Sequence, residues 1–576
     1  MSFFFAKNGR KNPKAELVAT LKAFINPGKI ENYDQHPICR FPSRYLYFKD
    51  KLGLVKNTNC PKYDAFVKRT AAKSISLVFS SYYLNAPASA FGHTLLRLSK
   101  TPTGKKVPEG GELLDYAANY AAMVTTSNAL LYGLAGLTGG FNGEFTAMPY
   151  FYKVREYNDY ESRDLWEYQL NLDQKQINKV VAHIWEMGQT TFQYFYLTGN
   201  CAYHMMGLID IANPTWRLTE RTPFFVIPAS TIRVAMETPG LVTKVLFRPS
   251  KKKQFFASLK KLNKSEYREF EKLTAHKNPN DLSAGLEKSS RARILDAGMD
   301  YLDFTYSKEI LLDKSVANAW KRKFLIARAK TGIRTKKEKI PTKEVEMPHR
   351  GHGLRRLSLR EGSGNQYNHF TQFEYRFALH DLMDATAGQS PYSTMEMGNA
   401  KFRLTDWEKK SRGNGLRAKF RLESFSLMRV RALNTITKRS KKWSWRAHFG
   451  TKTIKDRDCV SCFSPTAELG FGGSVAPGKW LFSLLLAPEF NANSELGHRG
   501  FRAGIGPELD VFYNFAENIK LKVFGEIKTW QFVKRDYSYR YGTDFRWGFK
   551  KNWALDIAYT RHHALWETST GLLFYY

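Results

Sequence analysis

The sequence predicts an α+β domain behind a helical lead-in, then a basic helical segment, then an all-β antiparallel array of about twelve strands. Three observations predict it. Between residues 73 and 236, strand-like and helix-like apolar spacings follow one another. Lys and Arg crowd the stretch from about 240 to 345, whose spacing is helical. From about residue 352 the hydrophobic period switches from about 3.6 to about 2 and stays there to the C-terminus. The boundaries that result are 1–70 for the lead-in, 71–236 for the α+β domain, 237–349 for the basic helical segment or linker and 350–576 for the β-array.

In chain order, NPKAELVATLKAF (12–24) has helical spacing and good helix formers. KSISLVF (73–79) and FGHTLLRLS (91–99) read as strands separated by a turn at NAPAS (85–89). LLDYAANYAA (113–122) fits a third strand or a short helix, and the glycine-rich YGLAGLTGGFNGEF (132–145) reads as a loop. RDLWEYQLNL (163–172) alternates like a strand. DQKQINKVVAHIWEMGQ (173–189) is an amphipathic helix, and CAYHMMGLIDIA (201–212) is a mostly apolar one stopped by Asn213-Pro214. The Lys/Arg-rich stretch reads as solvated amphipathic helices and a linker, with a membrane surface or a partner as the alternative.

The β-array fits a soluble barrel, a β-sandwich or an outer-membrane barrel. Strands of roughly ten residues with aromatic ends, an even strand count and the terminal FYY favour the membrane barrel. Charge on both faces of strands such as LRAKFRLESF argues the other way.

Composition narrows the function classes. The 576 residues carry a net charge of +36, which suits polyanionic partners such as anionic lipid head groups or nucleic acid. No nucleic-acid recognition motif accompanies that charge, so nucleic acid is not an expected partner. There is no run of 18 apolar residues, and MSFFFAKNGR is not a signal peptide. The five cysteines are Cys39, Cys60, Cys201, Cys459 and Cys462. They show no zinc spacing, so no metal or other cofactor is expected.

Two places suggest chemistry. His93 lies near the start of a strand, and Cys201 opens an apolar helix after the turn Gly199-Asn200, with Asn200 as N-cap. A thiol at a helix N-terminus faces the positive end of the dipole, so its pKa is expected to fall. A nearby imidazole would shuttle its proton, and Asp115 or Asn119 would orient that imidazole. Backbone N–H groups at the helix start would contribute to an oxyanion hole. Taken singly, each residue has a plainer reading: Cys201 as packing, His93 as a structural hydrogen-bonder, Asp115 as a turn or surface residue. His204 reads as a helix-face residue rather than a second base.

SAFGHTLLRL (89–98) and NCAYHMMGLIDIANP (200–214), about 110 residues apart, resemble the family named for the N-terminal periplasmic domain of Lnb, a lipoprotein N-acyltransferase. LVFSSYYLNAPASAFGHT (77–94), LDYAANYAA (114–122), residues 139–170 and FFVIPASTIR (224–233) extend the resemblance over about 70–235, and the flanks resemble a longer proteobacterial branch with a C-terminal β-domain. The His-then-Cys order is also similar to permuted papain-like enzymes of the NlpC and lecithin:retinol acyltransferase type. The resemblance implies a papain-like domain with Cys201 as nucleophile and His93 as base; Asn200, Ser81 and Tyr82 are the substrate or oxyanion candidates. It implies a phospholipid acyl donor, a lipoprotein or other amine acceptor, and a location in the bacterial envelope, with the barrel in the outer membrane and the catalytic domain in the periplasm. Where that family has an export signal this chain starts abruptly, so a truncated start and an exported mature protein are expected. In an oxidising periplasm Cys39 would pair with Cys60 and Cys459 with Cys462, which leaves Cys201 as the free thiol. The functional expectation is a membrane-associated cysteine acyltransferase or acyl hydrolase. The alternatives are a papain-like cell-wall amidase or peptidase, and a non-catalytic outer-membrane structural or transport protein.

Overall fold

The computed structural model describes residues 3–27, 35–55, 58–83, 91–105, 107, 110–126, 128–222, 225–311, 315–334, 340, 347–405, 419–456, 459, 461–496, 499–532 and 537–576. The expected turn at 85–89 lies outside them. The chain forms two compact units, Met1–Thr342 and Lys343–Tyr576.

The first unit begins with four helices: α1 (Pro13–Ile25), α2 (Pro37–Arg40), α3 (Pro42–Leu52) and α4 (Pro61–Thr70). Each has proline in its first turn, where the missing N–H costs nothing. The sulfurs of Cys39 and Cys60 are bonded to each other, which links α2 to the start of α4.

A seven-stranded antiparallel sheet follows, built from β1 (Ser74–Ser80), β2 (His93–Ser99), β3 (Tyr116–Ala122), β4 (Phe141–Pro149), β5 (Leu165–Leu170), β6 (Thr191–Tyr194) and β7 (Val242–Arg248). The spatial order is β6-β4-β3-β2-β1-β5-β7. β1 is central, and all seven of its residues are buried. This explains its continuous rather than alternating apolar pattern. The helices of this region are α5 (Ala129–Thr138), α6 (Tyr150–Lys153), α7 (Gln174–Met187), α8 (Cys201–Ala212) and α9 (Pro228–Glu237). Asp173 and Gln176 form a capping box at the start of α7. The lead-in is tied to α7: Trp185 Nε1 donates to Cys39 O at 2.9 Å, and Arg44 N donates to Glu186 at 2.9 Å.

The glycine-rich run expected to be a loop is instead most of α5 and the first half of β4. Its glycines serve close packing. A Cβ on Gly136 would lie 2.2 Å from the Tyr196 ring, so only glycine lets α5 lie against that ring. The ambiguous segment at 113–122 resolves to the end of a 3-10 turn (Gly111–Leu114) followed by strand β3 from Tyr116.

The basic segment also departs from its reading as solvated helices and linker. Its first residues add β7 to the sheet, and α10 (Lys251–Leu259), α11 (Lys264–His276), α12 (Lys288–Thr305), α13 (Ser307–Leu311) and α14 (Val316–Lys330) enclose a core of Phe255, Phe270, Leu273, Ile294, Leu295 and Phe324. Several of its cations are paired internally, Arg328 with Asp296 at 2.8 Å and Lys321 with Asp303 at 2.6 Å. High surface charge conceals a buried stripe because only a few positions per helix need be apolar.

The second unit is a closed antiparallel barrel. Its strands are β8 (Arg356–Gly364), β9 (Phe370–His380), β10 (Ser393–Thr405), β11 (Lys419–Ala432), β12 (Ser444–Thr453), β13 (Phe463–Val475), β14 (Trp480–Leu486), β15 (Glu489–Ala492), β16 (Phe501–Ile505), β17 (Pro507–Ala516), β18 (Ile519–Gln531), β19 (Tyr537–Lys550), β20 (Trp553–His562) and β21 (Leu565–Tyr575). β14 and β15 are one stave interrupted at Pro488, which lacks a ladder N–H, and β16 and β17 are another interrupted at Gly506, so there are twelve staves. β21 pairs with β8 and closes the ring.

The exterior is apolar and the interior charged. Leu357, Leu359, Phe373, Leu484 and Ile527 are exposed, whereas Arg356, Gln372, Glu374 and Lys528 on the alternate positions are buried. The charge that seemed to occupy both faces of β11 has a geometric cause. The ladder skips Glu423 against β10 and Leu427 against β12, and each bulge switches which residues face inward. At the end of the barrel where β8 starts and β21 finishes, the segment after β9 turns inward. Asp381 accepts from Arg356 and Arg546 at 2.7 and 2.8 Å, and Asp384 accepts from Arg546 and the Tyr575 hydroxyl, each at 2.6 Å. Met383 packs with Leu433, Leu481 and Phe512. No helix among the described residues is long and apolar enough to cross a membrane. That says nothing of the strands.

Candidate active site

The site lies where α8 begins against β2 and β3. Asn200 caps α8 with its Oδ1, which accepts from Ala202 N at 3.0 Å and Tyr203 N at 3.2 Å. Its Nδ2 donates to Tyr196 O at 2.9 Å and Val226 O at 2.6 Å. Both amide hydrogens are therefore committed to holding the turn, and the side chain does not act as an oxyanion donor. Cys201 is the first helical residue, 2% exposed, and the free cysteine of the chain.

The Cys201 thiol departs from expectation. Burial pushes its pKa up. The Thr94 N–H and hydroxyl, the Ala202 N–H and the Arg163 guanidinium pull it down and do not offset the burial. The sulfur is thus held as a neutral thiol at rest. The Thr94 hydroxyl is buried and has no conventional hydrogen bond of its own, which leaves it turned to the sulfur.

His93 opens β2 one residue before Thr94, and its Nε2 lies 2.6 Å from Asn119 Oδ1. With Oδ1 as acceptor, Nε2 carries the proton and Nδ1 is left as the basic nitrogen. Burial above all, opposed by the Asn119 bond and helped by Lys153 and Arg163, pushes His93 down to about 3. The imidazole is therefore neutral at ordinary pH. Gly92 precedes it at φ +82°, and a Cβ there would lie 2.6 Å from the Phe79 ring. Only glycine fits this entry to the strand.

Tyr157 and Arg163 connect the two groups. The Tyr157 ring lies 5.5 Å from the His93 ring, and its hydroxyl and the Cys201 sulfur influence each other. Arg163 acts on both His93 and Cys201, and is fixed by bonds to Ser80 O and Ser81 O at 2.9 and 2.5 Å. On the other side, the Tyr194 hydroxyl accepts from Cys201 N–H. Tyr194 stacks on Tyr120 at 5.5 Å, and Tyr120 packs on His204 at 4.1 Å. His204 is enclosed by aromatic rings, and burial pushes it down to about 4, as suits a packing residue.

The remaining predicted residues lie elsewhere or serve the scaffold. Asp115 does not reach the imidazole: both of its oxygens are taken, by Arg97 at 2.7 Å and by Lys100 N at 2.9 Å, so the orienting partner is Asn119. The Ser81 hydroxyl accepts from Asp164 N at 3.1 Å, and Tyr82 packs edge-on to Phe79. Neither contact brings these two residues to the sulfur. Cys459 and Cys462 are bonded to each other, with the Glu495 carboxylate beside them.

Beside Cys201 is a cavity of about 30 Å³ lined by Phe91, Gly92, Tyr194, Tyr196, Asn200, Cys201 and Pro228. That is room for about two waters. Its walls are mixed, with the rings of Phe91, Tyr194 and Tyr196 beside the polar Asn200. Sequence reasoning missed Thr94, Tyr157, Arg163, Tyr194 and Tyr196. The alternating aromatics of FQYFY, just upstream of Asn200-Cys201, were the available signal for the last two.

Residues 62–238 match the family model described as the Lnb N-terminal periplasmic domain. Three further models, each described as a domain of unknown function, match 1–51, 245–340 and 345–576. No curated protein matches the chain. Among solved structures, KdgM porin with disordered oligogalacturonate is similar at 9% identity, over 38% of this chain and 99% of that one, with a TM-score of 0.23. LpxR from Salmonella typhimurium is similar at 10% identity, over 38% and 100%, with a TM-score of 0.22. Outer membrane phospholipase A from Escherichia coli is similar at 10%, over 38% and 89%, with a TM-score of 0.22. A closed barrel with an apolar exterior and a charged interior spans a membrane. With a periplasmic-domain family on the same chain, that membrane is the bacterial outer membrane.

Proposed function

We propose, from the premise that residues 62–238 belong to the Lnb N-terminal periplasmic domain family, that this outer-membrane protein is a cysteine acyltransferase or acyl hydrolase. In this reading Cys201 is the nucleophile, His93 the general base and Asn119 the residue that orients it. The carrying observation is the pair of contacts at the start of β2: His93 Nε2 on Asn119 Oδ1 at 2.6 Å, and Thr94 against the Cys201 sulfur.

With thiol and imidazole both neutral at rest, the proton moves as attack begins. His93 Nδ1 takes the Cys201 proton while the sulfur bonds to the ester carbonyl carbon of a phospholipid. The oxyanion forms beside the Cys201 N–H, which at rest donates to the Tyr194 hydroxyl and turns from it to the oxyanion, while that hydroxyl supplies its own proton as the second donor. When the tetrahedral intermediate collapses, the C–O bond breaks and His93 returns the proton to the leaving glycerol oxygen. An amine, or water in the hydrolase, then attacks the thioester, gives its proton to His93, and releases the thiol with that proton restored. The Tyr194 and Tyr196 rings beside Cys201 support an apolar acyl group, which would enter past them because the cavity of about 30 Å³ holds no chain as it stands.

The test is the intact mass of detergent-purified protein after incubation with defined phospholipids. The expected result is a gain of one acyl chain that hydroxylamine removes and Cys201→Ser abolishes. Folded protein with a reduced thiol that acquires no adduct from any lipid class would overturn this reading.

A further inference from the structure

Helix α5 is anomalous. Residues 126–140, TSNALLYGLAGLTGG, contain no charged side chain. Leu131, Leu134 and Leu137, spaced by three along one face, are 54%, 59% and 43% exposed. Met123 and Val124, just before the helix, are 47% and 49% exposed. A helix without a polar face belongs in a core or in a bilayer, and this one lies on the surface of its unit. Its inner side meets the candidate site: Gly136 lies against the Tyr196 ring, and the Tyr132 ring is 5.4 Å from that of Tyr196, which lines the cavity beside Cys201.

We propose that the exposed leucine face of α5 seats on the lipid surface and delivers acyl chains to the site past Tyr196. This rests on the acyl-transfer reading for the delivery step but not for the seating. A bilayer is the favoured occupant for two reasons. The barrel holds the chain at a membrane, and the +36 net charge draws anionic head groups toward the protein while uncharged leucines supply the apolar contact. The aromatic ring of Tyr196, admitted by Gly136, stands between the inner side of α5 and the cavity, so an acyl chain that has passed the helix reaches the sulfur when that one side chain rotates.

The test uses the full chain in the Cys201→Ser background, carrying Leu134→Cys labelled with a polarity-sensitive fluorophore and reconstituted in phosphatidylethanolamine/phosphatidylglycerol vesicles. Lys175→Cys on α7, with its side chain 70% exposed, is the control. We expect blue-shifted emission at 134, quenched severalfold more by nitroxide-labelled lipid than at 175. Equal quenching at the two positions would overturn the proposal. So would blue-shifted emission that nitroxide lipid leaves untouched, since a protein surface would then cover the helix. A second measurement separates seating from chemistry. With Cys201 intact, Leu131→Gln/Leu134→Gln/Leu137→Gln is expected to slow acyl loading from vesicles about tenfold while leaving loading from a short-chain soluble ester unchanged. Equal slowing with both donors would overturn the delivery role. Quenching at 134 with no loading from either donor would refute the acyl-transfer reading and leave the seating intact.

Discussion

Arg97→Met tests the electrostatic core of the seven-stranded sheet. Arg97 lies in β2, 4% exposed, between Asp115 at 2% and Glu167 at 4%. It forks onto Asp115 with Nε at 2.9 Å and an Nη at 2.7 Å, and its other Nη is paired with Glu167. Methionine keeps much of the volume and removes the charge, which strands two buried carboxylates with only Lys100 N and the Tyr150 hydroxyl as donors. Breaking a buried pair costs about 3–5 kcal/mol. At about 1.4 kcal/mol per decade, opening of the sheet becomes roughly a hundredfold to a few thousandfold more frequent. Cys201 is the free, buried thiol, so its labelling by a disulfide reagent in rising urea, on the intact protein, reports that opening. The pH dependence follows from linkage. Carboxylates buried without a counter-charge have folded-state pKa values above their unfolded ones, so the folded variant binds more protons and its stability falls as pH rises from about 4 to 7. Glu167→Gln added to Arg97→Met is expected to restore part of the loss. A change under threefold at pH 7.5, or a deficit that does not grow with pH, would refute the reasoning.

Three further outcomes follow from the site and the barrel. Asn119→Ala is expected to slow thioester formation about ten- to a hundredfold with little change in thermal stability, whereas His93→Ala slows it by about a thousandfold or more; single-turnover loading measures both. Because burial raises Cys201 and holds His93 down at about 3, alkylation of Cys201 by iodoacetamide should climb about tenfold per pH unit with no plateau between about pH 5 and 8; a plateau there would reveal a preformed thiolate–imidazolium pair. Asp381→Asn/Asp384→Asn removes the negative charges that clamp the inward segment to Arg356, Arg376 and Arg546, and planar-bilayer recordings should show higher conductance than wild type. Unchanged conductance would mean that other contacts hold the segment in place.

Much of this was legible in the residues because local rules decided it. Asn200 as cap and Asn213-Pro214 as stop bound α8 at Cys201–Ala212, and period-two alternation marked the twelve staves. What escaped depended on distant partners. The glycines of 132–145 have loop composition, yet Gly136 exists for Tyr196, which lies sixty positions later. Asp115, just before β3, and Asn119, within it, were equivalent candidates in the sequence. Arg97 captured the first, a pairing fixed by the register of β2 on β3. The thiol was misjudged because a helix terminus is visible in sequence, whereas the depth of its burial is not. The helical core at 250–330 was obscured because its apolar positions are spread thinly over five helices among many Lys and Arg.

The pairing of cysteines has a consequence for how the chain matures. Cys39 and Cys60 are separated by 21 positions, and Cys459 and Cys462 by 3. A chain crossing the inner membrane N-terminus first presents Cys39 and Cys60 to the oxidising machinery before Cys201 emerges. Closing the long loop from Cys60 to Cys201 would also cost about 1.7 kcal/mol more than closing the short one. Cys201 enters the compartment after its nearest rival thiols have been consumed by each other. The last two cysteines arrive as neighbours, with each other as the handiest partner. Order of arrival, together with loop length, keeps one thiol reduced in a compartment that oxidises the rest.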